Sequence, residues 1–239
     1  MTSYVRAETD WEKARLGRFT SSEIDKLFTL PRSAAARLAG ELGGTAKSYI
    51  RSRAAEIITG LSKQVLLWSF EWGNKYEPAA AERLLDIYPH MEYKGKANPV
   101  FLPLTDFSGG SPDCWEIIHR PLVTEIKCPV NPENHIINCL LKSGAELLAT
   151  RRATYRQLQM NMICVANKFG IAFEEMKGIF CSYCPIVQPG YMDLKVLEIE
   201  PDMEFYERLP IILTRAEGEL AELVWDLRCR EQQSKLIAA

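Results

Sequence analysis

The chain has 239 residues, 47% of them hydrophobic and 25% charged, with a net charge of −2, a balance that reads as an ordinary soluble globular protein. No apolar run approaches the roughly 18 residues of a membrane span, and residues 1–10 lack the basic start and apolar stretch of a secretory signal, so a cytoplasmic protein with no membrane partner is expected. Seven scattered cysteines favour reduced thiols over a disulfide framework. The net charge neither advertises nor excludes nucleic acid, because a local basic groove and acidic metal ligands cancel in the sum.

Met1 to Asp10 is polar and reads as loose. Trp11 to Leu16 predicts a short helix that leaves at Gly17. Thr20-Ser21-Ser22-Glu23 has capping-box spacing ahead of Ile24, Leu27 and Phe28, so a second helix is expected there. Open amides at such a start suit a phosphate, with Arg15 and the Ser22 hydroxyl close by. Read locally, a plain N-cap beside a surface arginine is the commoner use of these residues. After Pro31, residues 32–44 form a small-residue connector with room for a helical turn. Thr45 to Ile58 predicts a helix with Tyr49, Ile50, Ala54, Ile57 and Ile58 as its apolar stripe, Gly60 as its end, and Lys47, Arg51 and Arg53 on a solvated face.

Trp68, Trp72 and Tyr76 recur four apart, a helical stripe that is usually core. Glu77 follows, just before Pro78, where the helix is expected to kink or restart. Taken alone this segment makes Glu77 a surface carboxylate. From Tyr88 to Leu104 the prolines and Gly95 favour short strands. Gly109-Gly110 then lets the backbone turn into Ser111-Pro112-Asp113. A hairpin turning at His119-Arg120-Pro121 leads to the strand Leu122 to Lys127, which contains Glu125-Ile126-Lys127.

That pair of segments is the chemical centre of the sequence. In a strand, residues two apart share a face about 7 Å apart, so Glu125 and Lys127 point the same way. Asp113 and Glu125 are hard oxygen ligands suited to Mg²⁺, and the Ile126 carbonyl can add a neutral one. Lys127 places an ammonium beside the attacking water or the phosphate charge. Glu-x-Lys on an exposed strand is otherwise a solvated ion pair.

Further on, residues 130–134 read as a loop, and Ala153 to Ala166 as a helix with Tyr155, Leu158, Met162 and Val165 on its apolar face. Gln157 and Gln159 read locally as polar surface. Gly178 to Cys184 and Leu194 to Ile199 predict two strands joined through Pro185, Pro189 and Gly190. Pro201 opens a final helix to about Arg230, broken at Pro210, with Ile211, Ile212, Leu220, Leu223, Val224 and Leu227 as its apolar positions. Cys181-x-x-Cys184 has the spacing of half a metal site, but strand residues three apart face opposite ways and no second pair exists, so buried thiols are expected.

Asp113 with Glu125-Ile126-Lys127 resembles the PD-(D/E)xK nuclease motif. The ordered set Arg15-Leu16-Gly17, Thr20-Ser21-Ser22-Glu23, Trp72-Gly73-x-x-Tyr76-Glu77, Ser111-Pro112-Asp113 and Tyr155-x-Gln157-x-Gln159 resembles the lambda exonuclease (YqaJ-type viral recombinase) family. The resemblance implies a restriction-endonuclease-like α/β fold, a central mixed sheet flanked by helices in one domain over 1–239. Within it, helices would fill 11–60, the catalytic core 61–199 and a C-terminal helix 201–230. It makes Arg15, Ser22 and Ser111 phosphate anchors, Glu77 a third acidic metal ligand beside Asp113, Glu125 and Ile126, and Gln157 a partner of Lys127 in orienting water or phosphate.

The implied activity is Mg²⁺-dependent exonuclease action with two ions in each site (Mn²⁺ as a substitute). One strand of linear double-stranded DNA would be degraded from a 5′-phosphate end to mononucleotides, leaving a 3′ single strand for recombination by strand annealing. The implied partners are that DNA, a single-strand annealing protein and two further copies in a homotrimer ring, in a protein of phage or prophage origin. The chain departs from the family where an arginine is expected a few residues past Lys127: Glu133 stands there, with His135 or Arg151-Arg152 as the nearest substitutes. Cys184 also replaces an Asp, and Cys114 a Gly. Two other readings compete: an endonuclease of the same fold, and a non-catalytic DNA-binding protein that retains it.

Overall fold

The computed structural model describes residues 2–65, 68–95, 98–187 and 192–238. Strand β1 (Thr2–Arg6) is followed by helix α1 (Asp10–Arg15), strand β2 (Phe19–Thr20) and a 3₁₀ helix (Ser21–Phe28). Next come α2 (Ala34–Leu38), α3 (Gly44–Thr59), β3 (Leu61–Val65) and α4 (Trp68–Leu85). Strands β4 (Glu92–Tyr93), β5 (Leu102–Thr105), β6 (Ser108–Gly110), β7 (Cys114–Glu116) and β8 (Leu122–Lys127) lead to α5 (Pro132–Leu140), α6 (Gly144–Thr150) and α7 (Arg152–Phe169). The chain closes with β9 (Lys177–Tyr183), β10 (Leu194–Ile199) and α8 (Met203–Ala238).

The central sheet has the order β10-β9-β8-β7-β4. It is mixed: β8 pairs parallel with β9, while the other pairings are antiparallel. Five of the six β8 residues are buried, because both faces of the strand are covered. Leu122 and Ile126 face the layer holding Ala80, Ala81 and Leu84 of α4. Val123, one residue out of phase, joins the larger core with Leu158 and Met162 of α7. The period of two that sorts these apolar residues puts Glu125 and Lys127 on the α7 face. Leu27, Tyr49, Leu213 and Leu220 belong to the same large core, so the N-terminal helices and α8 pack onto the layer formed by α7 and the central sheet.

Several expectations are corrected. Residues 2–6 are a strand paired with β3, and the capping box in this region is Thr9 with Glu12. Thr20 starts a 3₁₀ helix with no side-chain cap. The Tyr49 hydroxyl accepts the Thr20 N–H at 3.0 Å, which leaves Glu23 to pair with Lys26. Arg53 is buried: it donates to Glu56 at 2.8 Å and lies over the Tyr49 ring. The aromatic stripe of α4 is a ring-to-ring ladder, with Trp68 64% exposed instead of core.

Helix α4 continues through Pro78 and α8 through Pro210. Both prolines, and the residues four before them, are exposed, so water can reach the carbonyls that each proline leaves without a partner. Along α8 the buried positions are Phe205, Leu209, Leu213, Ala216, Leu220 and Val224, while Ile211 and Leu227 are exposed. Residues 132–140 form α5, with Pro132 in its first turn and the Asn131 side chain as its cap. All seven cysteines are free. Leu66, Leu67, Pro189 and Gly190 lie outside the described residues.

Candidate active site

The β7–β8 ladder ends at Cys114 opposite Thr124, and Pro112 has no N–H to extend it. A side chain takes over: Asp113 Oδ2 accepts the Ile126 N–H at 2.6 Å. A strand residue presents its N–H and C=O to the same edge, so the Ile126 carbonyl also lies on the Asp113 edge. Beside it, Lys127 Nζ donates to Glu125 Oε1 at 2.7 Å and to Gln157 Oε1 at 3.1 Å. Asn161, one helical turn past Gln157, donates its Nδ2 hydrogen to Glu125 Oε2 at 3.0 Å.

Burial pushes the Asp113 carboxyl well above the usual range, and Glu125 and Glu77 push it further. Burial likewise raises Glu125, with Lys127 and Asn161 opposing. For Lys127, burial pulls the ammonium down, but Glu125, Asp113 and Glu77 outweigh it and the net shift is upward. Three carboxylates thus share one neighbourhood with a single lysine. Glu77 arrives from α4, its Oε1 held by the Tyr93 hydroxyl at 2.9 Å. Among the described residues, no three acidic, histidine or cysteine side chains converge tightly enough to hold a metal as they stand. Each of these carboxylates is instead bonded to a protein donor. The donor set fits a hard divalent cation in chemistry, because oxygen ligands with uncompensated negative charge are what such an ion binds.

A second cluster adjoins the first. Arg15 donates to Ser111 Oγ at 3.1 Å and to Ser22 Oγ at 3.5 Å. Its guanidinium lies 4.4 Å from the centroid of the Trp11 ring, whose Nε1 also donates to Ser111 Oγ at 3.0 Å. Arg15 makes no ion pair among the described residues, so its charge is available to an anion. Ser111 stands two residues from Asp113, which puts this cluster within about 7 Å of the acids along an extended chain.

The suggested substitutes for the missing arginine separate cleanly. His135 is fully buried between Ser182 and the Met192 carbonyl, and Arg152 is forked onto Asp25. Arg151 lines a cavity of about 220 Å³ together with Lys127, held there by Asn134 and Asn138. The roomier cavity of about 540 Å³ between β5, α7 and α8 contains none of the expected site residues. Gln159, the other glutamine of the motif, is a structural clamp that bonds the Glu200 carbonyl and the Asp202 N–H.

No protein-family model and no curated protein matches the sequence. Solved structures do. An alkaline exonuclease (LHK-Exo) from Laribacter hongkongensis is 22% identical, with a TM-score of 0.67 over 94% of this chain and 98% of that one. The same enzyme in complex with dAMP gives a TM-score of 0.68 at 22% identity over the same shares of the two chains. A phage-related exonuclease from Haemophilus somnus 129PT is 18% identical, with a TM-score of 0.66 over 88% of this chain and 96% of that one. The chain has the fold of these exonucleases.

That fold, the restriction-endonuclease-like arrangement expected from the motifs, brings Asp113, Glu125, Lys127 and Gln157 together. It also brings Glu77 within their electrostatic reach and seats Arg15, Ser22 and Ser111 alongside. Three contacting residues were not singled out from sequence. Trp11 and Asn161 stand one helical turn from Arg15 and Gln157, a spacing that could have found them. Tyr93 carries no such signal, since its contact depends on how β4 meets α4.

Proposed function

We propose that the chain is a metal-dependent exonuclease on linear double-stranded DNA. The observation that carries the reading is the Gln157–Lys127–Glu125 network beside Asp113, two residues from a serine that accepts a hydrogen bond from Arg15, which makes no ion pair among the described residues. Lys127 is an ammonium under this electrostatic load, so it serves as a charge and not as a base. Of its three donor hydrogens, Glu125 and Gln157 take two, and the third is free for a phosphate oxygen or the attacking water. Gln157 fixes the direction of that hydrogen.

Glu77, Asp113, Glu125 and the Ile126 carbonyl would hold Mg²⁺, or Mn²⁺ in its place, as one or two ions. Such ions supply Lewis-acid charge at the phosphate and make water more acidic. Arg15, with Ser22 and Ser111, grips a phosphate next to the scissile one, and Arg151 takes the part of the arginine missing near Glu133. The reading extends to a 5′-phosphate start, release of mononucleotides and a 3′ single strand passed to an annealing protein by a ring of three copies. The dAMP bound by LHK-Exo supports a mononucleotide product.

The test is digestion of a 5′-phosphorylated linear duplex with Mg²⁺. Wild type should release mononucleotides, and Lys127→Ala should reduce the rate by about 10²–10³-fold, the scale lost when a preorganised donor at the transition state is removed. Cleavage of closed circular DNA would point to an endonuclease of this fold. DNA binding that EDTA leaves intact, without cleavage, would point to a binding protein.

A further inference from the structure

Strand β8 offers Glu125 and Lys127 two residues apart, and α7 offers Gln157 and Asn161 four apart. Two strand residues span about 6.6 Å and four helical residues about 6 Å, so the pairs stand opposite each other like rungs. Gln157 meets Lys127 at 3.1 Å, and Asn161 meets Glu125 at 3.0 Å. The Lys127–Glu125 bond at 2.7 Å joins the rungs. With Glu125 ionised the Asn161 amide cannot be reversed, because its oxygen would then face a carboxylate oxygen.

Asn161 is fully buried, and its own Oδ1 has no hydrogen-bond partner among the described residues. That oxygen abuts Gly110, where an added Cβ would lie 2.4 Å away. Packing alone does not account for such a residue. A leucine has the same branched outline and carries no unmet buried carbonyl, whose burial costs stability. What the amide adds is a donor aimed at one carboxylate of the site.

We propose that Asn161 is a positioning residue: by fixing Glu125 Oε2 it aims the remaining acceptor positions of that carboxylate into the pocket shared with Asp113, and so sets the affinity for a divalent cation. This rests on the metal-dependent reading above. Each carboxylate oxygen has two acceptor positions, so Oε1 bonded to Lys127 and Oε2 bonded to Asn161 each keep one free. Without Asn161, Glu125 pivots about the lysine bond, and the cation meets a carboxylate that must first be ordered.

The experiment measures Mn²⁺ binding to the DNA-free protein by calorimetric titration, beside cleavage as a function of Mg²⁺ concentration. Asn161→Leu keeps the branched outline and removes the donor. It should weaken Mn²⁺ binding by about 10–100-fold and raise the half-maximal Mg²⁺ concentration in step, the usual effect of losing a hydrogen bond behind a metal ligand. At saturating Mg²⁺, its kcat should stay within about tenfold of wild type, because the catalytic groups themselves remain. Gly110→Ala pushes Asn161 from the far side without touching Glu125, and should weaken Mn²⁺ binding in the same direction. Should Asn161→Leu fail to fold, Gly110→Ala decides alone. Mn²⁺ affinity within about twofold of wild type in the folded variant overturns the inference while leaving the metal-dependent reading intact. A wild type that neither binds Mn²⁺ nor cleaves DNA overturns both.

Discussion

Asp113 carries the main electrostatic conflict of the molecule. Burial, then Glu125 and Glu77, push its carboxyl well above the usual range, and Lys127 and the Ile126 N–H restore only part. Asparagine there keeps an oxygen for the Ile126 N–H and removes the charge. Asp113→Asn should therefore raise the Tm of the metal-free protein at pH 8 by about 2–4 °C, the shift that about 1 kcal/mol produces in a chain of this size, while abolishing cleavage. Thermal unfolding in EDTA measures the first effect and duplex digestion the second, and a lowered Tm would mean that Asp113 stabilises the fold. At this scale the sequence was informative where two residues sit in one element. Glu125 and Lys127 share a face because strands alternate. Read locally, Glu77 and Gln157 were surface residues, and only family resemblance singled them out.

Among the elements, the turn that carries Arg15 is held from outside itself. Glu56 of α3 accepts the Gly17 N–H at 2.9 Å, the Lys63 N–H at 3.1 Å and Arg53 at 2.8 Å, and it is 1% exposed. Gly17 has φ +72°, in the left-handed region, and a Cβ there would meet Ile57 at 2.4 Å, so the turn needs both the glycine and the clamp. Glu56→Ala should cost about 3–5 kcal/mol, the scale for leaving half of a buried ion pair behind, read as a lowered urea midpoint. Glu56→Gln should cost much less. The helices α3, α4 and α7 were legible from apolar spacing. The capping box was misplaced because Thr20 finds Tyr49, a partner twenty-nine residues away, before it finds Glu23. The sequence marks Pro78 and Pro210 as breaks, yet both helices continue through them, at exposed positions where water can satisfy the released carbonyl.

For the whole molecule, the raised acids link stability to pH and to metal. Asp113 and Glu125 keep their protons in the folded chain at pH values where the unfolded chain, near 3.8 and 4.5, has lost them. The folded state then binds more protons, so metal-free stability should fall as pH rises from the ordinary carboxylate values through the raised ones. Mn²⁺ competes with those protons, so it should raise Tm more at pH 8 than at pH 6. Thermal melts across that range, with Asp113→Asn as the flattened control, check both slopes; an equal Mn²⁺ effect at the two pH values would count against the acids as ligands. The main helices, the strands β8, β9 and β10 and the Asp113 and Glu125-x-Lys127 pair were readable in the sequence, because strand alternation, helical spacing and proline or glycine boundaries are local properties of the chain, whereas the mixed sheet flanked by helices was implied by the family resemblance. The approach of Glu77 to the acids, the bond from Tyr93 and the burial of Asn161 against Glu125 were decided by tertiary structure alone. Each depends on the register between elements distant along the chain, and that register is set by packing across the whole core, which no local run of residues encodes.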